Sequence, residues 1–168
     1  MTRQFFLKHK FLLVMGMLLV ISGCTTPKAT YHYQKQDGDP TVYFESDFDL
    51  HTHFFVNNNA KNNLCVDEQR AGYILKVDSM FIYDTANKQL SIVVPKDQSL
   101  IVMAHHSFSD GSVSKSCGPV RTMFTPEARH EYVAKMNLSG SKCFITIHDK
   151  ATNQLLEDQR LIGACHKK

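Results

Sequence analysis

The residues best equipped for chemistry in this chain are two histidine pairs, His51 with His53 and His105 with His106. On a β-strand, positions i and i+2 share a face, so His51 and His53 could reach one ion. A neighbouring strand carrying His105 or His106 would then supply a third ligand, and such an imidazole set suits zinc or copper. Chance is the simpler explanation: eight histidines follow residue 23, and no spacing fixes the third ligand. Asp47 and Asp49, and the adjacent Asp67 and Glu68, are the carboxylate pairs that could serve acid–base work. They fall at strand ends or loops, where solvated acids are ordinary. Ser107, Ser109, Ser112, Ser114 and Ser116 run on from the second histidine pair, but a serine-rich stretch before a cysteine reads as a flexible turn. The chain has no H-E-x-x-H, no G-x-S-x-G and no glycine-rich phosphate loop. The expectation is a protein that is not an enzyme and needs no cofactor.

The elements that would hold these residues are short strands. Residues 41–48 begin with Val42 and Phe44 on one face. Residues 72–83, 89–94 and 99–105 are further β-rich runs, and Pro95-Lys96-Asp97 separates the last two. Tyr132, Ala134, Met136 and Leu138 alternate with Val133, Lys135 and Asn137, and Cys143, Ile145 and Ile147 alternate with Phe144, Thr146 and His148, with Ser139-Gly140-Ser141 as the turn between them. Residues 155–162 complete the series. This spacing predicts an antiparallel β-sandwich, immunoglobulin-like or related, of about seven or eight strands. A cap-like Thr125 before Pro126 predicts about one helical turn over residues 125–130. Tyr132, opening a late strand after this corner, resembles the tyrosine corner of Greek-key sandwiches, although two core aromatics, Phe124 and Tyr132, are the plainer and preferred account. The asparagines at 57–59, 62 and 63 with Lys61 make a polar loop; their amides suit a sugar or partner chain, and a turn-rich connector is the simpler reading.

The first 23 residues have the form of a secretory signal. Arg3, Lys8 and Lys10 precede an apolar stretch at residues 11–21, too short for the roughly 20 residues of a comfortable membrane span. Ile21-Ser22-Gly23-Cys24 then follows. This run resembles the lipobox of bacterial lipoproteins. The resemblance implies cleavage before Cys24, a diacylglyceryl thioether on its sulfur and an acylated amino terminus. Several chains on one residue hold firmly, at about 0.8 kcal/mol per buried CH₂. Thr25 stands where the enterobacterial sorting pattern puts an Asp for inner-membrane retention, so the resemblance implies the periplasmic face of the outer membrane. Residues 24–40 then read as a flexible tether and residues 41–168 as one β-rich domain.

With Cys24 assigned to lipid, Cys65, Cys117, Cys143 and Cys165 form an even set, as disulfides in an exported protein require. Three pairings are open. Cys117–Cys143 is preferred because the segment between them is compact, which leaves Cys65–Cys165. None forms the C-x-x-C pair of structural zinc or thioredoxin-like redox sites.

Removing the signal also removes three of the 19 Lys and Arg residues and none of the 16 Asp and Glu residues. The balanced charge that remains offers no basic stripe for nucleic acid. The expected role is a non-enzymatic binding or accessory lipoprotein, held to the membrane by its lipid and facing an envelope protein partner. One alternative is an inhibitor or immunity-type lipoprotein directed against an envelope-attacking enzyme. The other is metal binding through His51, His53 and either His105 or His106.

Overall fold

Apolar residues at every second position can bury one face of a strand, and two such faces must meet. The computed structural model describes residues 28–48, 51–58, 68–75, 90–109, 112 and 114–163. Among these, the strands are β1 (Thr41–Ser46), β2 (Thr52–Asn57), β3 (Gln69–Ile74), β4 (Leu90–Val93), β5 (Leu100–Ser109), β6 (Ser114–Phe124), β7 (Glu131–Ser139), β8 (Lys142–Asp149) and β9 (Arg160–Ile162). They form a four-stranded sheet ordered β4-β1-β7-β8 and a five-stranded sheet ordered β3-β2-β5-β6-β9. The sandwich is as expected, with one departure from antiparallel order: β1 runs parallel to β7.

Val42 and Phe44 of β1, Phe54 and Val56 of β2, Val102 and Ala104 of β5, Ala134 and Met136 of β7, and Ile145 and Ile147 of β8 fill the space between the sheets. Three polar side chains inside are satisfied there. The Ser46 and Thr52 hydroxyls lie 2.8 Å apart, and Thr122 Oγ1 donates across the sheets to the Ile145 carbonyl at 3.0 Å. β5 departs from alternation: residues 100–104 are all buried, so this strand is covered on both faces. Ile101, Met103 and Arg121 make up a buried row on its outer side.

β2 and β6 were not among the expected strands. β2 begins in the histidine pair, and β6 takes in the serine-rich stretch expected to be a turn. Ser107 faces Ser116, and Ser109 faces Ser114, across the β5–β6 ladder. A bulge near the middle of that ladder matters. Ala104 pairs with Val120 but His106 pairs with Cys117, so β6 carries an extra residue there. The insertion turns both Cys117 and Val120 toward the core, though they are three positions apart. Gly118 makes it possible, with φ of 102° and a site where an added Cβ would lie 2.7 Å from the Ala104 carbonyl oxygen. Gly118→Ala is therefore expected to lose about 2–4 kcal/mol, combining left-handed strain with overpacking against backbone. Chemical denaturation measures it, and an unchanged midpoint would show that the bulge does not need glycine.

Two expectations fail for traceable reasons. Residues 125–130 form turns, with no helix among the described residues. The Glu127 amide donates to the Tyr132 hydroxyl at 2.9 Å, the Arg129 amide to the Gly38 carbonyl at 2.8 Å, and Arg129 adopts φ of 63°. Each takes the backbone away from a helical ladder. Tyr132 thus has the hydrogen bond of a tyrosine corner as well as the expected core contact, edge-to-face on Phe124 at 5.1 Å.

The second concerns the tether. Its described part, from residue 28, is held on the domain: Tyr31 N–H donates to Arg70 O at 2.8 Å, and Arg70 N–H to Ala29 O at 2.7 Å. Tyr31 also packs on the core and donates its hydroxyl to Val93 O of the other sheet at 3.1 Å. Asp39 is buried, accepting from Tyr33 Oη and from the Gln36 amide. Polar composition suggested a solvated linker; two tyrosines and an aspartate fasten it instead.

Candidate functional site

The histidines gather at one end of the five-stranded sheet. His51 immediately precedes β2, His53 lies on it, and His53 pairs laterally with Tyr73 of β3 and with His105 of β5. The ring centroids of His51 and His53 are 6.2 Å apart, with Tyr73 at 5.6 Å and 5.9 Å from them. These rings lie on the outer face, where Tyr73 is 37% exposed. His106 follows His105 by one residue and so faces inward. It is buried, stacks on Phe48 at 4.2 Å, and its Nδ1 lies 2.9 Å from the His51 carbonyl oxygen. Of the two candidates for a third ligand, His105 therefore shares the outer face with His51 and His53, and His106 does not. Among the described residues, no group of three or more His, Cys, Asp or Glu side chains is placed to hold a metal.

Burial holds the His53 and His106 imidazoles below the usual histidine range. Positive charge on nearby His51 and His105 acts in the same direction on both, and Arg70 adds to it at His53; only the His51 carbonyl works against it at His106. Both are neutral in the folded domain at neutral pH. The unfolded chain, with ordinary histidines near 6.5, takes up protons first as the medium acidifies. Stability is therefore complete above that value and falls as pH drops through it toward the lower folded values. His106→Gln is expected to flatten this acid-side slope, measured as the denaturation midpoint against pH from about 7 to 5. An unaltered slope would clear His106 of the effect.

Of the two carboxylate pairs, Asp47 and Glu68 are among the described residues, and both are ion-paired. Asp47 pairs with Lys135 at 2.8 Å. The Glu68 side chain is buried between Lys28, its ion-pair partner, and Arg121, whose Nε lies 2.8 Å from Oε1. Lys28 Nζ also sits 4.5 Å from the centre of the Phe55 ring. Asp49, Asp67, Cys24, Cys65, Cys165 and Asn59 to Asn63 of the polar loop lie outside the described residues.

A second group escaped sequence reasoning. Arg129, His130, Glu131, Asp149, Lys150 and Thr152 line an open cavity of about 610 Å³ at one end of the four-stranded sheet. Its charges answer one another. Lys150 Nζ lies 3.0 Å from Glu131 Oε2 and 3.5 Å from the Tyr43 ring centre, while Tyr43 Oη donates to Glu131 Oε1 at 2.8 Å. Asp149 accepts from the Thr152 amide and hydroxyl, and His130 is 3.3 Å away. Hydrogen bonds from Lys150 and Tyr43 hold the Glu131 carboxyl below its ordinary range, and those from Thr152 do the same for Asp149. No local motif joins Tyr43 to Glu131, which lie 88 positions apart; only the β1–β7 pairing brings them together.

One expected cysteine pair is formed. Cys117 of β6 and Cys143 of β8 are bonded, with Cα atoms 6.1 Å apart, and the bridge joins one sheet to the other. The described surface belongs to a cross-linked sandwich carrying the exposed His51 and Tyr73 rings, with Asp47, Glu68 and Glu131 ion-paired. No protein-family model matches the chain, and no curated protein matches it.

Proposed function

We propose that the chain is an exported lipoprotein, anchored through Cys24 to the periplasmic face of the outer membrane, with a non-enzymatic binding or accessory role in the envelope. The observation that carries this reading is the Cys117–Cys143 bridge between the sheets. Disulfides persist in oxidising compartments, and the signal-like first 23 residues and the lipobox-like Ile21-Ser22-Gly23-Cys24 direct the chain to one. The absence of enzyme motifs from the sequence, and carboxylates occupied by lysine, arginine or threonine partners, favour binding over catalysis. The exposed His51 and Tyr73 rings, with the half-buried His53 between them, are the surface best suited to a partner, because aromatic faces combine apolar area with hydrogen-bonding edges.

Intact mass measurement on protein extracted from the membrane fraction tests the anchor. The expected species starts at Cys24, carries a thioether-linked diacylglycerol, and loses its membrane association in Cys24→Ala. An unmodified chain retaining residues 1–23 would refute the reading.

A further inference from the structure

Resting on that lipoprotein reading, we propose that the domain sits directly on the lipid surface, with the Lys28–Glu68–Arg70 corner of its five-stranded sheet against the headgroups. A domain swinging on a long tether is the opposing picture. The inference comes from where the fastened chain begins. Lys28 is ion-paired to Glu68 and lies over the Phe55 ring, and Thr30 bridges to Arg70 alongside β3. Residues 28–31 therefore act as one more edge segment of the sheet. Only four residue steps separate Lys28 from Cys24, and at about 3.5 Å each they span no more than about 14 Å. An acyl-bearing Cys24 lies at the headgroup level, so the corner cannot stand farther from it than this reach.

The groups at that corner suit the position. Lys28, Thr30 and Arg70 are exposed, and Lys28 and Arg70 can meet lipid phosphates. The Glu68 carboxylate is buried between its two cations, so it does not present a bare negative charge to an anionic surface. The far corner of the same sheet is well separated. Lys115 pairs with Phe108 near the other end of β5, about 17 Å along the strands from Met103, which shares a row with Phe55, Arg70 and Thr30.

The sequence contains no tryptophan, so one introduced Trp is an unambiguous reporter. Thr30→Trp and Lys115→Trp, both at exposed positions, are made in the full lipidated protein and reconstituted in phosphatidylcholine vesicles doped with a headgroup nitroxide lipid. Quenching is expected to be several-fold stronger at residue 30 than at residue 115. Inserting about 20 Gly/Ser residues after Thr26 widens the reach to about 25 Å, and should remove most of that difference. Equal quenching at both positions, or quenching at neither, in protein whose mass confirms lipid on Cys24 would overturn the docked corner while leaving the lipoprotein reading intact. A chain without lipid on Cys24 would overturn both.

Discussion

Cutting the bridge between the sheets, by Cys117→Ala with Cys143→Ala, is expected to destabilise the domain by about 3.5 kcal/mol. The two cysteines are 26 positions apart, and closing a loop of that size removes about this much denatured-state entropy in the chain-entropy account. The bridge's position adds a second reason. β6 and β8 lie in different sheets, and the bridge ties them beside the Thr122–Ile145 hydrogen bond. For a domain of this size the loss corresponds to a fall of about 10–15 °C in Tm. Thermal unfolding with and without a thiol reductant checks it. Reductant should lower Tm further in the wild type than in the double variant, where only the expected Cys65–Cys165 pair is left to reduce. A wild type indifferent to reductant would show that the bridge contributes nothing to stability, and it would remove the main support for an oxidising compartment.

The sequence made that bridge legible because Cys117 and Cys143 flank a compact segment. The strands with clean alternation, β1, β7 and β8, were equally legible, since each has one buried and one wetter face. β5 was recognisable as a strand, but nothing in its apolar run said it would be covered on both sides; that depends on Lys28, Arg121 and Glu68, which are distant in sequence. β6 was missed because serines dominate its first half and because Gly118 breaks its period with a bulge. The histidine site was half legible. Period two placed His51 and His53 on one face, and adjacency necessarily divided His105 from His106. Which of those two would face His53 required the β2–β5 register, and register is set by the whole sandwich.

The supposed tether carries the most instructive error. Its polar residues and its prolines matched a solvated linker, and composition holds no record of Tyr31 reaching Val93 or of Asp39 accepting two hydrogen bonds. Under the proposed lipid anchor on Cys24, fastening the chain at Lys28 would leave a short connection in place of a long leash, and a domain held that close to the surface would offer partners a restricted set of faces.

The register that produces those faces can be tested at two neighbouring phenylalanines. Phe54 is fully buried between the sheets, 4.8 Å from the Phe44 ring, whereas Phe55 points outward, half-buried beneath the Lys28 ammonium. Phe54→Ala is expected to cost about 3–5 kcal/mol, the sum of lost transfer energy and an unfilled cavity. Phe55→Ala should cost about 1–2 kcal/mol, from partial burial and a cation–π contact. The larger loss approaches the whole stability of many domains, about 5–15 kcal/mol. If Phe54→Ala does not fold, Phe54→Leu against Phe55→Leu keeps the comparison on a smaller scale. Urea denaturation gives both values. Equal losses at the two positions would mean that β2 does not alternate inward and outward as described, and with it would go the placement of His53 beside Tyr73. A large gap in the stated direction fixes β2 by a measurement independent of the histidines, since the same alternation that buries Phe54 is what turns His53 out to the surface.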